Sequence, residues 1–142
     1  MTFLKSDSAG YLVNHVSRIF ARGLAARIAP LELTIGTFPA LLELWERDGL
    51  TQKQLVARLH IEQATMANTL SRMERDGLIL RKKDPTDGRI QRVWLTQRAR
   101  DLQGDATAAA MDQNTETLKG LTEQEQRDFI QLMKKLIASN ST

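Results

Sequence analysis

The side chains that most often perform catalysis are scarce or badly spaced in this sequence. It has no cysteine and only two histidines, His15 and His60. Neither histidine has carboxylates beside it at the spacing a metal site needs. Disulfide scaffolds, thiolate nucleophiles and thiol redox sensing are excluded with the cysteine. There is no glycine-rich phosphate loop and no triad-like set of serine, histidine and aspartate. These absences point away from an enzyme, and neither a metal nor a cofactor is expected. Cations, by contrast, are concentrated in one place. Residues 51–100 carry 11 Lys/Arg against 5 Asp/Glu, a balance of +6 in a chain of net charge +3, which leaves −3 for the rest. Clustered cations are the footprint of a phosphate-binding surface, because each one set against a phosphate releases condensed counterions. Charge alone is also compatible with a solvated face.

Two groups inside that stretch have the chemistry to read DNA. On a helix over 62–76, a step of 100° per residue sets Met66, Leu70 and Met73 on one side. Ala64, Thr65, Asn68, Ser71, Arg72 and Arg75 then lie around the other, with Gln63 at the N-terminal end. Small polar residues allow close approach to the major groove. There Asn68 can pair with adenine N6 and N7, Ala64 can touch a thymine methyl, and Gln63 can reach a base edge. Arg72 and Arg75 lie further along, where phosphate contacts position the protein without specifying sequence. An ordinary solvated helix face has the same composition. The second group is a basic hairpin with Arg81, Lys82, Lys83 and Arg92 around a tip holding Asp87 and Arg89. A cationic wing can enter a neighbouring minor groove. Asp87 either fixes the direction of the Arg89 guanidinium or is a turn acid next to an exposed arginine.

A third group lies near the N-terminus. Tyr11, His15, Arg18 and Arg22 recur at i, i+4, i+7 and i+11, so they share one side of a helix. With Trp45 as a wall they would suit a small phenolic or carboxylate effector. The alternative is an interfacial polar strip making salt bridges. The five methionines fall mostly on apolar stripes, where methionine fills core space.

The elements that must position these groups can be read from periodicity and caps. Leu12, Val16, Ile19, Phe20 and Leu24 recur at helical spacing from Ser8 to Ile28, before Pro30. A second helix carries Phe38, Leu41, Leu42 and Trp45. Pro39 is comfortable only in a first turn, which favours a start after Thr37 over one after Thr34. Thr51–Gln54 is a capping box with Leu50 and Leu55 as its hydrophobic staple, and it opens a short helix that ends at His60-Ile61-Glu62. Past the helix over 62–76, the runs 78–83 and 90–95 are β-rich and flank the turn-forming segment 84–89. Thr96 caps a long helix with small apolar residues, and the box Thr122–Glu125 opens a last one with the stripe Phe129, Leu132, Met133, Leu136 and Ile137. No apolar run approaches the ~20 residues needed to cross a bilayer. No membrane partner and a cytoplasmic location are expected.

A capped short helix, a tight turn, a second helix and a basic hairpin make a winged helix-turn-helix. The fold class is thus mainly α with a small β-hairpin, the winged lobe being embedded in a helical dimerisation frame. Together the residues resemble the MarR family of transcriptional regulators. The resemblance is carried by Leu33-Thr34, by Leu55-Val56-Ala57-Arg58-Leu59 and by Met73-Glu74-Arg75-Asp76-Gly77-Leu78-Ile79. Asp84-Pro85-Thr86-Asp87-Gly88-Arg89 and Val93-Trp94-Leu95-Thr96 complete it. It implies a homodimer whose N-terminal helix (1–32) and C-terminal helices (96–142) interlock, with 33–95 as the DNA-binding lobe and 78–95 as its wing. It also implies that the helix from Gln63 to Arg72 reads the major groove, and that Arg89, braced by Asp87, enters the minor groove. The expected partner is double-stranded DNA carrying a pseudo-palindromic operator, and the expected function is repression released by a small aromatic or anionic ligand. A winged helix used as a protein–protein module without DNA binding is the alternative. The sequence departs from the family at His60, where glycine is common, and at Thr37 and Ala99, where glutamine and glycine are frequent.

Overall fold

Helix α1 runs Ala9–Ile28, with Ser8 at its N-cap accepting from the Tyr11 N–H; the computed structural model describes residues 1–141. Helix α2 is Phe38–Glu46, and Pro39 sits in its first turn, where its missing N–H has no helical partner to lose. Helix α3 (Gln52–Leu59) opens on the Thr51–Gln54 capping box, with both reciprocal hydrogen bonds formed. His60 closes α3 at φ 53°, ψ 45°, the left-handed turn that glycine would enter freely. A side chain there costs on the order of 1 kcal/mol.

Helix α4 spans Gln63–Arg75. Gly77, at φ 73°, turns the chain out of it while the Leu78 N–H donates back to the Met73 carbonyl. That bond is why the first strand starts one residue later than its composition suggests. Strands β1 (Ile79–Lys83) and β2 (Gln91–Leu95) pair antiparallel, with Ile79 opposite Leu95 and Lys83 opposite Gln91. Ile90 is held in the tip by its N–H bond to the Asp87 carbonyl rather than joining β2. Leu50 adds an isolated bridge to Val93, which ties the chain ahead of α3 to the wing. Helices α5 (Gln97–Leu118) and α6 (Glu123–Asn140) follow, capped by Thr96 and by the Thr122–Glu125 box.

The core lies where α2, α3, α4 and β1 meet: Leu41, Leu44, Leu55, Met66, Leu70, Met73 and Ile79 are at most 1% exposed. Burial there removes apolar surface from water at ~25 cal/mol per Å², so α4 is anchored along one side and presents the other. α1 lies along α5, and Gly23 lets the Gln113 carboxamide rest against the α1 backbone. α6 is different, because it contains no buried residue.

Candidate nucleic-acid interface

The outward side of α4 is built by what its inward side buries. With Met66, Thr69, Leu70 and Met73 turned into the core, Gln63, Ala64, Thr65, Asn68, Arg72 and Arg75 all remain exposed. Thr65, Asn68, Ser71 and Arg72 share a shallow open recess on that face. Arg72 reaches sideways, its guanidinium beside Gly36 and within 3.5 Å of Thr69 Oγ1. Arg75 is paired with its neighbour Asp76 at 3.1 Å and is 70% exposed.

The wing is stiffened from within. Asp84 Oδ1 accepts from the N–H and hydroxyl of Thr86 and from the Asp87 N–H, while Arg92 Nε donates to Asp84 Oδ2 at 2.6 Å. Those bonds, Thr86 first and Arg92 next, hold the Asp84 carboxyl far below the usual carboxylate range. Arg92 also donates to the Gly49 carbonyl, so it fastens the wing to the lobe. Arg81 turns back to Ser71 and Glu74. Lys82, Lys83 and Arg89 are exposed and make no ion pair among the described residues beyond the one between Arg89 and Asp87.

Arg89 is held by a fork. Its Nε and Nη2 donate to Asp87 Oδ1 and Oδ2 at 3.1 and 3.2 Å, and its backbone N–H adds a third bond. The same bonds lower the Asp87 pKa. The arginine side chain is nevertheless 91% exposed, so the guanidinium is aimed and solvated together. Between the wing and α3 runs an open cleft of about 740 Å³ bordered by Thr51, Gln52, Lys53, Lys83 and Arg89. Thr51, Gln52 and Lys53 read in the sequence only as a helix cap. Their place beside the wing depends on the Leu50–Val93 bridge, which has no local signal.

The N-terminal candidates are split by the structure. His15, Arg18 and Arg22 border one recess of about 460 Å³ between α1 and α5, and Gln113 and Glu116 face them from α5. Tyr11 lies outside it, with Lys5 Nζ 5.8 Å from its ring centre. Trp45 is elsewhere: its indole N–H donates to the Ala99 carbonyl, and its ring meets Phe38 edge-on at 6.0 Å. Trp45 is thus not a wall of this recess. Sequence reasoning missed Gln113, which is 4% exposed and bonded to Arg27 and Thr117. A glutamine on a polar helix carries no sign that it will be buried. A smaller recess of about 230 Å³, between α1, α2 and α5, shares Gln113 as a wall.

An aimed cationic wing beside an exposed polar recognition helix defines a protein of the winged helix-turn-helix class. The MarR family model matches residues 33–91. The HTH-type transcriptional regulator TtmR of Methylorubrum extorquens is 32% identical over 112 residues, 79% of this chain. The chain spans only about half, 55%, of that relative's length. The crystal structure of a probable transcriptional regulator from Pseudomonas aeruginosa superposes with a TM-score of 0.86 at 31% identity, covering 93% of this chain and 98% of that one. An HTH-type transcriptional repressor of Mycobacterium tuberculosis is 29% identical over 89% of this chain and 91% of its own. Its crystal structure with salicylic acid superposes with a TM-score of 0.71 at 29% identity, over 92% of this chain and 98% of that one. With DNA the TM-score is 0.69 at 27% identity, over 91% and 97%. The chain belongs to the MarR family.

Proposed function

We propose that this protein acts as a homodimer that binds a pseudo-palindromic duplex operator and represses transcription until a small aromatic or anionic ligand releases it. Residues 33–95 form the reading lobe; 1–32 and 96–142 form the frame that joins two copies. The observation that carries the reading is Arg89, aimed by Asp87 and open to solvent, beside an α4 face with six exposed candidate contacts. In a two-fold dimer the recognition helices would enter successive major grooves about 34 Å apart. Gln63, Ala64, Thr65 and Asn68 would face base edges, Arg72, Arg75 and Lys82 phosphates, and Arg89 the minor groove. The apolar stripes of α1 and α6 supply the surface a second copy would cover. His15, Arg18 and Arg22, in the α1–α5 recess, are the groups suited to an anionic effector. The tuberculosis repressor, crystallised with DNA and with salicylic acid, supports both halves of the reading. The role is regulatory rather than catalytic, and its place is the cytoplasm.

The test is selection of bound sequences from random duplex DNA, followed by titration of the winning site at several salt concentrations. Affinity should fall on a log–log plot with a slope of roughly −0.9 per phosphate neutralised. Arg89→Ala should weaken binding by about 10-fold or more without lowering the melting temperature. Full affinity in that variant, or a flat salt response, would overturn the reading.

A further inference from the structure

We propose that Gln52 is a positioning residue for base reading, which holds Gln63 so that Gln63 reads an adenine in each half-site. The inference rests on the DNA-binding reading above. Gln52 is the first residue of α3 and Gln63 the first residue of α4. Across the helix-turn-helix, Gln52 Nε2 donates to Gln63 Oε1 at 3.0 Å. The bond has no capping role, because α3 is already capped by Thr51 and Gln54. It joins a side chain on the border of the cationic cleft to a side chain at the exposed leading end of the recognition helix.

The chemistry follows from the two ends of a carboxamide. A free glutamine presents its carbonyl or its NH2 with little preference, so it discriminates poorly between bases. A donor fixed against Oε1 removes that ambiguity. The carbonyl oxygen keeps a second lone pair, able to accept from adenine N6, while Nε2 can donate to adenine N7. Turning both amides over would set Gln52 Oε1 where Nε2 now lies, beside a cleft suited to phosphate. An anion disfavours that arrangement, whereas Gln52 Nε2 has a second hydrogen to offer it. DNA binding therefore reinforces the orientation already present. Holding the side chain in advance also removes ordering entropy that binding would otherwise cost. Asn68, exposed further along α4, serves as an internal control.

The experiment compares random-duplex selections by the wild type, Gln63→Ala, Gln63→Glu and Gln52→Met, with thermal melts of each. The wild type should enrich an adenine column in each half-site that disappears in Gln63→Ala. Gln63→Glu, which keeps an acceptor for Gln52 but cannot donate to N7, should move that column toward cytosine through its N4 donor. Gln52→Met keeps the length of the side chain without its donor. It should blur the same column, leave the others intact and weaken binding by about 3- to 10-fold. If Gln52→Met melted early, Gln52→Glu would test the same bond. A carboxylate there can only accept from Gln63, which turns that amide over and should move the column away from adenine; an unmoved adenine column would overturn the inference. A wild type that selects a palindrome whose Gln63-dependent column is not adenine overturns the inference but leaves DNA binding standing. So does a Gln52→Met selection matching the wild type in columns and affinity. A wild type that selects nothing, even in dilute buffer, overturns both.

Discussion

Between Leu33 and Leu95 the large aliphatic side chains of α2, α3 and α4 are enclosed by their own chain: Leu41, Leu44, Leu55 and Leu70 have 0% exposure. On α6, residues of the same chemistry stand open, with Leu132, Leu136 and Ile137 at 61%, 60% and 62%. Val13 and Ile19 of α1 are likewise open, at 61% and 48%. The lobe is a finished core, whereas the outer helices hold half of one. Covering each such side chain is worth about 1.5–3 kcal/mol, so two copies meeting along α1 and α6 have a substantial apolar incentive. The polar groups divide in the same way. Those of the lobe are paired to shape the wing, and those of the α1–α5 face converge on a recess.

Charging the open stripe of α6 should separate the two regions most strongly. Leu132→Glu with Leu136→Glu puts two carboxylates one helical turn apart on α6. Sedimentation should then show single subunits, and operator affinity should fall by ~100-fold or more because each lobe grips one half-site alone. The far-ultraviolet spectrum should hardly change. Leu41→Ala strikes the closed core instead and should cost about 2–5 kcal/mol in urea melts. Its destabilisation should persist at every protein concentration, whereas that of the α6 variant should depend on concentration. If the α6 variant stayed dimeric, the contrast between the two regions would be lost.

Legibility in the sequence followed the same division. The lobe was readable because each of its devices is local: the Thr51–Gln54 box, the buried stripe Met66, Leu70 and Met73, and the turn around Asp87 and Arg89. The left-handed turn was readable too, since His60 stands where the resemblance places glycine. Groups assembled by long-range contact were not. Trp45 has the right chemistry for a ligand wall, but its indole N–H is claimed by Ala99, 54 residues away. Arg92 reads as another wing cation, yet it is consumed by Asp84 and the Gly49 carbonyl. Gln113 and the Gln52–Gln63 pair depend on which helices meet, which periodicity does not determine.

A smaller effect is expected where α1 and α5 meet. A Cβ on Gly23 would collide with the Gln113 carboxamide. Gly23→Ala must therefore push aside a buried polar group that bonds both Arg27 and Thr117. Leaving such a group unsatisfied costs about 1–3 kcal/mol, and the melting temperature should fall accordingly. Gly23→Ala with Gln113→Ala should recover part of the loss, since the collision is gone. An unchanged melting temperature in the single variant would show that the two helices do not depend on this close approach.

In the wing, charge and shape can be separated at Asp84, where the change in stability should be slight. Asp84 accepts from Thr86, Asp87 and Arg92, and its pKa is pushed down in the folded protein. A depressed carboxyl stabilises the fold above its unfolded value, about 3.9, and loses that contribution as the pH falls toward the folded value. Asp84→Asn keeps the size of the side chain but cannot ionise. The melting temperature of the wild type should therefore exceed that of the variant by its widest margin above about pH 5, and the gap should narrow as the pH falls below 4. A gap that stayed constant from pH 7 to pH 3 would assign the effect to lost hydrogen-bond geometry. Operator binding should report the same change from the other side, because a loosened wing no longer presents Arg89 in a fixed direction. The oligomeric state, if it rests on the open stripes of α1 and α6 as proposed, should not respond at all.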